Sequence, residues 1–422
     1  MNLKNYHIRF TYFILYLSLL FGFFLNEDFT IGSKVDYLVH LEIVKRFEND
    51  FLFTLLNFSN KDLDFTTAHS PFFYITFLFL KKLFLGNEFL IRLLNLHLSL
   101  LIPYIFYLLL KIEYNFKKND LRFLIPGLFF LSPYFRSGSI WIGSENISLI
   151  FLFGSFYFFK IFISNENKKF YIIFLNIIFL SIAAYIRPIY SLFSIYFFII
   201  LFKDLIDTKK IFQYILINLI LALPAYYYVF ILDINFIAMH LNSPVTVSRI
   251  INQFAITTSI LFYYSIPFII FNYNQLKKEM FKSKNYFLFL IYFISLLLFF
   301  DFSFNYGGGI FYKLSFILFS NNYLFYLVAS LSLIFFKTVL IEPLDFKKNL
   351  NDLILFFILI LLEIDTIVYH ETYDLIFYLI FFTIAKNDYF INFIRNFNIK
   401  KLIFLYCFGL FFFLITVLKS FL

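Results

Sequence analysis

Apolar segments of membrane-spanning length recur along the chain from Ile8 to Leu418, and they leave few folds open to it. An α-helix needs about 20 apolar residues to cross a bilayer, and inside lipid its backbone polar groups must be satisfied within the helix. Only 14% of the residues are charged, whereas a soluble domain carries roughly 25%. The pattern predicts an all-α, polytopic membrane protein with one transmembrane domain over residues 1–422.

Clusters of lysine and arginine predict which loops are cytoplasmic, because cytoplasmic loops are enriched in these residues. The clusters lie at residues 4–9, 111–122, 160–169, 203–210, 277–284, 337–348 and 386–401. If all of them are cytoplasmic, an even number of helices separates each neighbouring pair, which gives about 13 transmembrane helices. Since the net charge of +9 is divided among these loops, no nucleic-acid partner is expected.

The same parity places two polar regions on the outer side. The first is the loop at residues 26–88, and the second is the loop region at residues 232–255. Within the first, the short apolar run Pro71–Leu85 carries Lys81 and Lys82, so we expect it to lie in the membrane interface. A second interfacial helix is predicted around Asp36 from a stripe of apolar residues at helical spacing: Val35, Leu38, Val39, Ile43 and Phe47.

Amino-acid usage indicates the source and the compartment. The chain contains 72 phenylalanines and 32 tyrosines. Phe, Ile, Lys, Asn and Tyr all have AT-rich codons, so we interpret the bias as that of an AT-rich bacterial genome. The expected location is the bacterial inner membrane, with membrane lipids as partners and the polar loops facing the periplasm. Cys407, the one cysteine, allows no disulfide within the chain.

The first outer loop contains the densest group of ionisable side chains, which includes Asp36, His40, Asp64 and His69. Asp36 and His40 are four residues apart and would share one face of a helix. One interpretation is a solvated loop whose charges keep it out of lipid. The other is that Asp36 is a general base at the mouth of the helical bundle. His69 would contact substrate in that case, or is simply exposed.

Further polar residues are expected near the outer ends of helices. Arginine and lysine there either extend to lipid headgroups or bind the phosphate of a lipid-linked substrate. A triple glycine at 307–309 precedes one of these cations and would permit close approach to a ligand, or form a flexible turn. The residues are Arg136, Glu145, Arg187, His240, Arg249, Lys313, His370 and Glu371.

The sequence contains no Walker A motif, dinucleotide fingerprint or His-Glu-x-x-His motif, and no segment suited to a cytoplasmic nucleotide-sugar domain. Any activated donor should therefore be delivered by the membrane.

Short polar motifs resemble those of the GT-C superfamily of membrane glycosyltransferases, and most closely the dolichyl-phosphate-glucose α-1,2-glucosyltransferase family. The matching segments are Asp36-Tyr-Leu-Val-His40, Thr66-Thr67 before Pro71, Arg92-Leu-Leu-Asn95, and Gly308-Gly309-Ile310 before Lys313. The chain departs from the family at Tyr37, where a second acid is usual, and at Glu371-Thr-Tyr373, where an Arg-Tyr pair is expected.

The resemblance implies inverting transfer of a sugar from a polyprenyl-phosphate donor to a glycan, lipid or protein acceptor. Asp36 would be the catalytic base, and Lys313, Arg187 or Arg249 would hold the donor phosphate. No resident cofactor is expected, although some relatives use a divalent cation. Other substrate contacts are expected from His40, Asp64, His69, Glu145, His370 and Glu371.

Two other classes of protein work on lipid-linked sugars. A transporter or flippase should show internal repeats and ionisable groups in mid-membrane; the sequence has no clear repeat. A glycan polymerase or ligase usually has its large outer loop later in the chain, whereas here it follows the first helix.

Overall fold

A computed structural model describes residues 5–30, 32–58, 70–116, 120–165, 169–204, 208–232, 246–303, 307–340, 346–363 and 367–421. All regular elements in these ranges are helical, and no strand occurs in them, so the predicted all-α class is confirmed. The chain divides into unit 1, residues Met1–Met239 with Leu405–Leu422, and unit 2, residues His240–Phe404.

Unit 1 begins with a long apolar helix, continues through the shorter helices of residues 26–88, and then contains further long apolar helices. Its α-helices are α1 (Asn5–Phe24), α2 (Ser33–Asn49), α3 (Phe51–Leu56), α4 (Pro71–Leu83), α5 (Glu88–Ser99), α6 (Leu101–Tyr114), α7 (Pro133–Ile140), α8 (Ser144–Ser164), α9 (Phe170–Ile186), α10 (Phe193–Asp204) and α11 (Thr208–Tyr226). The 3-10 helices Leu121–Leu131 and Pro188–Leu192 and the π-helix Tyr227–Ile231 complete it.

Unit 2 is also helical. Its α-helices are α12 (Val247–Phe271), α13 (Tyr273–Met280), α14 (Ser283–Phe299), α15 (Gly309–Phe319), α16 (Tyr323–Leu340), α17 (Phe346–Leu361), α18 (Glu371–Leu379) and α19 (Asp388–Arg395), with a π-helix at Ile380–Ile384. The last helix, α20 (Ile399–Phe421), begins in unit 2 and ends in unit 1.

Within the described residues, 7 helices are long and apolar enough to cross a membrane. The count becomes 8 if α13 and α14, which are bent by 76° at their junction, form one span. Five shorter apolar helices occur in addition: Leu121–Leu131, Phe170–Ile186, Pro188–Phe202, Gly309–Phe319 and Leu350–Leu361. The helices fit a multi-pass membrane protein, and the full-length spans are fewer than the 13 predicted.

The apolar run at residues 314–336 is long enough for one of the 13 predicted spans, but in the structure it is not one continuous helix. Ser320 adopts a left-handed conformation with φ of 54°, and α16 starts afresh at Tyr323. The Ser315 hydroxyl donates to the carbonyl of Asn321 and accepts the amide of Phe325, at 2.8 and 3.1 Å. Local polar side chains thus satisfy the backbone groups that the break exposes.

Residues 26–88, predicted as the first outer loop, contain the helices α2, α3 and α4, and the side chains of the predicted apolar stripe on α2 differ in burial. Val35, Leu38 and Val39 are exposed, whereas Ile43 and Phe47 are buried. The buried face instead includes Tyr37, His40, Leu41, Val44 and Phe47. It follows helical spacing because these residues pack against α4, so packing within the loop decides which side of α2 is covered.

The second predicted loop region, 232–255, is wrong in its last part because α12 begins at Val247. Thr246 caps this helix by accepting the amide hydrogen of Arg249 at 3.2 Å. Residues 233–245 lie outside the described ranges.

A buried ion pair connects α7 to Glu27, which follows the end of α1. Arg136 donates to both carboxylate oxygens of Glu27, at 2.6 and 2.5 Å, and to the carbonyl of Ser18 at 3.0 Å. Both charged side chains are 5% exposed. A Cβ at Gly22 would lie 2.2 Å from the Glu27 carboxylate, so glycine makes room for the pair. Arg136, which the sequence suggested as an outward cation, therefore has a structural partner.

Candidate functional site

Asp36 lies in the first turn of α2, where the sequence stabilises the start of the helix. Its amide hydrogen bonds to the carbonyl of Gly32 at 2.9 Å. The Asp28 carboxylate accepts the amide of Lys34 at 3.0 Å and the hydroxyl of Thr30 at 2.9 Å. These bonds hold the turn that carries Asp36, and they place a second carboxylate close to it.

Trp141, the single tryptophan of the chain, packs against the part of α2 that carries Asp36. Its ring lies 5.6 Å from the ring of the buried Tyr37, and its Nε1 donates to the carbonyl of Glu27 at 2.9 Å. On the other side, the Arg92 guanidinium is 3.7 Å from the indole centroid, within the range of a cation–π contact. Trp141 thus links the helix of Asp36 to α5 and to the buried ion pair of Glu27.

Arg92 and Asn95, whose spacing matched a family motif, hold helices together. Arg92 Nε donates to the carbonyl of Ile140 at 3.1 Å. Asn95 Nδ2 donates to the carbonyls of Gly138 and Ser139, both at 2.9 Å. These bonds fix α5 against the end of α7, just before the chain enters α8 with Glu145.

Glu145 and Arg187 form an ion pair on the same unit. Glu145 lies in the first turn of α8, where the helix dipole favours a carboxylate, and its Oε1 is 3.1 Å from the Ser144 hydroxyl. Arg187 follows the end of α9 and precedes Pro188, which favours the extended backbone seen there. Its Nη2 is 3.6 Å from Glu145 Oε1.

Burial and two neighbouring carboxylates set the pKa of Asp36. Partial burial, followed by the negative charges of Glu145 and Asp28, raises the pKa of Asp36 to about 6. Part of the Asp36 side chain nevertheless stays exposed, so a reactant can reach it. A carboxylate with this pKa is a better proton acceptor than an ordinary aspartate and is still largely ionised at neutral pH.

His40 does not share the surroundings of Asp36, although both lie on α2. It is buried, and its Nδ1 is 3.2 Å from the hydroxyl of Tyr74 on α4. Burial lowers the pKa of His40 to about 4, partly offset by the charge of Glu145. His40 is therefore neutral at physiological pH and contributes to the packing of α2 on α4.

Unit 2 brings together two of the residues expected from the sequence, Lys313 and His370. The triple-glycine turn has φ values of 74°, 78° and 74° and is tied to the segment before α18 by a 3.0 Å bond from the Gly308 amide to the carbonyl of Val368. Burial, and then the positive charge of Lys313, lowers the pKa of His370 to about 3. The imidazole packs 5.1 Å from the ring of Tyr264.

The other predicted residues differ in position. Arg249 is buried in the first turn of α12, and Glu371 is half-buried in the first turn of α18. Asp64, His69 and His240 lie outside the described residues. In the described ranges no group of three or more His, Cys, Asp or Glu side chains is arranged to hold a metal ion.

Two residues of interest were missed by the motif-based reading. Trp141 could have been noticed as the one tryptophan of the chain, four residues before Glu145. Asp374 is buried one turn after His370, a burial that spacing alone does not reveal.

Protein-family models, curated proteins and solved structures were each compared with the chain, and none matches it. The residues of the site in unit 1 are a carboxylate with a raised pKa, a second carboxylate and an arginine, which together suit proton removal beside an anionic group.

Proposed function

We propose that the chain is a glycosyltransferase that takes a sugar from a polyprenyl-phosphate donor on the periplasmic side of a bacterial inner membrane. The acceptor is a hydroxyl group of a glycan, lipid or protein. The proposal includes the GT-C-like plan of about 13 membrane crossings, some of them made by helices shorter than a full span.

The observation that supports it best is the state of Asp36. The carboxylate is accessible, belongs to the first outer loop, and has a pKa raised to about 6 by partial burial, Glu145 and Asp28. A base of this kind has the proton affinity that the attack of a sugar or lipid hydroxyl requires. The motif around Asp36 carries the resemblance to lipid-dependent glycosyltransferases, which supplies the choice of reaction.

In the proposed step, the acceptor oxygen forms a bond to the anomeric carbon of the donor, and its proton passes to Asp36. The bond from that carbon to the phosphate oxygen breaks, and the electron pair leaves with the lipid phosphate. Attack from the side opposite the leaving group inverts the anomeric centre. The departing phosphate needs charge stabilisation rather than an acid, and Arg187, Arg249 or Lys313 is the proposed cationic partner.

The remaining expected substrate contacts are part of the proposal as well. They are His40, Asp64, His69, Glu145, His370 and Glu371. His40 acts on this view through the position of α2, since its ring is buried against Tyr74.

The test is sugar transfer by the purified full-length chain in detergent, with a panel of radiolabelled polyprenyl-phosphate sugars and an extract of envelope glycans and lipids as acceptors. Asp36→Asn should lower transfer at least ~100-fold, because general bases contribute about 10²–10⁴-fold. Glu42→Gln is the matched control, since Glu42 is an exposed acid on the same helix. Transfer by Asp36→Asn at the rate of this control would remove Asp36 as the base.

Transport of a lipid-linked saccharide is a second candidate, favoured by the buried Asp374 and His370 of unit 2. Ionisable groups buried in the interior of a membrane protein often mark a transport pathway. On this alternative, Asp374→Asn would stop translocation of a fluorescent lipid-linked sugar in proteoliposomes, whereas Asp36→Asn would leave it intact. The opposite pattern, or no translocation by the wild type, would exclude it.

A further inference from the structure

The ion pair between Glu145 and Arg187 differs from other pairs of unit 1 in its geometry. Its atoms are 3.6 Å apart, and the arginine and glutamate side chains are 17% and 32% exposed. In the pair of Arg136 and Glu27 the distance is 2.5 Å and both side chains are 5% exposed. Charge-assisted N–H···O bonds are usually 2.7–2.9 Å long, so the Glu145 pair is an electrostatic contact without a close hydrogen bond.

The surroundings of Glu145 hold its carboxylate near the start of α8. Ser144 Oγ is 3.1 Å from Oε1, and a Cβ at Gly143 would lie 2.4 Å from Oε2, so the side chain folds back over the glycine. The carboxylate thus has a partner of its own besides Arg187. Loss of the arginine would leave it hydrogen-bonded, which lowers the cost of separating the pair.

Arg187 has supports besides Glu145. Pro188 restricts the preceding residue to extended conformations, and the guanidinium lies 6.0 Å from the ring of Tyr190, a buried residue of the following 3-10 helix. The cation can therefore keep its place when its counter-ion changes. A guanidinium group binds phosphate with the same bidentate geometry that it uses for carboxylate.

We propose that Glu145 is an internal competitor for the phosphate of the ligand: its carboxylate contacts Arg187 in the unliganded protein and is displaced when a lipid phosphate binds, either the sugar-linked diester of the donor or the released monoester. The inference rests on the proposed function, because that function supplies a phosphate-bearing ligand for unit 1. It assigns to Glu145 a regulatory contact in place of the direct substrate contact expected from the sequence.

Displacement of Glu145 from Arg187 would also affect Asp36, the proposed general base. Asp36 already feels the negative charge of Glu145 while Arg187 partly neutralises it. Once Arg187 is engaged by phosphate, the Glu145 charge is less compensated, and the proton affinity of Asp36 rises. The contact would therefore couple donor binding to the strength of the base.

The experiment measures binding of farnesyl phosphate to the full-length chain in detergent by isothermal titration calorimetry, with farnesol as the ligand that lacks phosphate. Trp141 emission provides a second readout, since this is the one tryptophan of the chain and packs against the helix of Asp36. Glu145→Gln should bind farnesyl phosphate about two- to fivefold tighter, or about 0.4–1 kcal/mol, the usual strength of an exposed ion pair.

Arg187→Gln should bind more weakly than the wild type, and the double variant Glu145→Gln/Arg187→Gln should bind no more tightly than Arg187→Gln. This dependence separates competition at Arg187 from a general structural effect of Glu145. Glu48→Gln is the matched control: Glu48 pairs with Lys81 at 2.7 Å and is 31% exposed, so it removes one similar charge elsewhere in unit 1. Its affinity should equal that of the wild type.

Inorganic phosphate is titrated in parallel. If the variants follow the predicted order of affinity with farnesyl phosphate but not with inorganic phosphate, the ligand is a lipid phosphate. If they follow the same order with inorganic phosphate, the ligand is a free phosphate. An unchanged or weaker affinity in Glu145→Gln, an equal gain in Glu48→Gln, or a gain that persists without Arg187 would overturn the inference. Absence of phosphate binding by the wild type would do so too.

The two proposals fail in different ways. Binding in the predicted order without any sugar transfer would remove the glycosyltransferase function and leave the competition intact. Sugar transfer with no effect of Glu145→Gln on affinity would remove the competition alone. A melting curve for each variant shows whether it is folded, and Arg187→Lys, which keeps the charge, should retain part of the binding that Arg187→Gln loses.

Discussion

Replacing Arg136 by methionine should strongly destabilise unit 1, because it removes one partner of a buried ion pair. Methionine keeps most of the side-chain volume, so the substitution mainly removes the charge and its hydrogen bonds. Glu27 would then keep its carboxylate at 5% exposure without the guanidinium that binds both of its oxygens. The carbonyl of Ser18 would lose a donor as well.

The size of the effect follows from this geometry. Breaking a buried pair by removing one partner costs about 3–5 kcal/mol. For domains of 150–250 residues each kcal/mol corresponds to roughly 2–4 °C in midpoint temperature, so the loss should be about 6–20 °C. Removing both charges with Glu27→Gln and Arg136→Met should cost less than Arg136→Met alone, because no uncompensated buried charge remains.

Thermal unfolding of the purified variants in one detergent, followed by size-exclusion chromatography after heating, measures these shifts. Lys81→Met is the control, since Lys81 pairs with Glu48 at 2.7 Å while 20% exposed. An exposed pair of this kind is worth about 0–1 kcal/mol. If Arg136→Met lowers the midpoint no more than Lys81→Met, or if the double variant is the least stable, the buried pair does not anchor the unit.

Three further predictions concern the pKa of Asp36, the glycine turn at Gly307 and the contacts of Trp141. Sugar transfer by the wild type should fall as the pH is lowered through about 6, because the raised pKa of Asp36 leaves the base protonated below that value; a pH–rate profile that stays flat down to pH ~4.5 contradicts this. Gly307→Ala should lower stability by more than about 2 kcal/mol, because the residue has φ of 74° and a Cβ there would lie 2.6 Å from a carbonyl oxygen. Gly86→Ala, at φ of 75° in open space, should cost about 1–2 kcal/mol from backbone strain alone, and equal melting shifts for the two variants would argue against the close contact. Trp141→Phe should lower the free energy of unfolding by about 1–3 kcal/mol, because it removes the indole hydrogen bond and weakens the contact with Arg92. A melting temperature equal to that of the wild type would show that these two contacts do not stabilise the packing of α2.

The helical class of the protein could be predicted because lipid allows few ways to satisfy the backbone, and the apolar runs are long enough to show it. The position of helix ends was harder to predict. The break at Ser320 lies between two apolar runs, and the Ser315 hydroxyl satisfies the backbone there by donating to the carbonyl of Asn321 and accepting the amide of Phe325. Local polar contacts of this kind do not change the hydropathy of a segment.

The candidate site, too, could be predicted only in part from the sequence. Asp36 and Glu145 stand out as acids in polar segments, and both were expected to take part in function. Their interaction was not expected, since more than one hundred residues separate them. Arg136 was expected to face outward like Arg187, yet one is buried with Glu27 and the other is partly exposed beside Glu145.

The all-helical, multi-pass membrane class follows from the composition and from the length of the apolar runs, because both act through the lipid solvent and do not depend on which helices meet. The buried face of α2, the neutral state of His40 and the raised pKa of Asp36 arise only when the chain folds. Each of these depends on burial and on charges brought close by folding, and the distances that set them are absent from linear spacing.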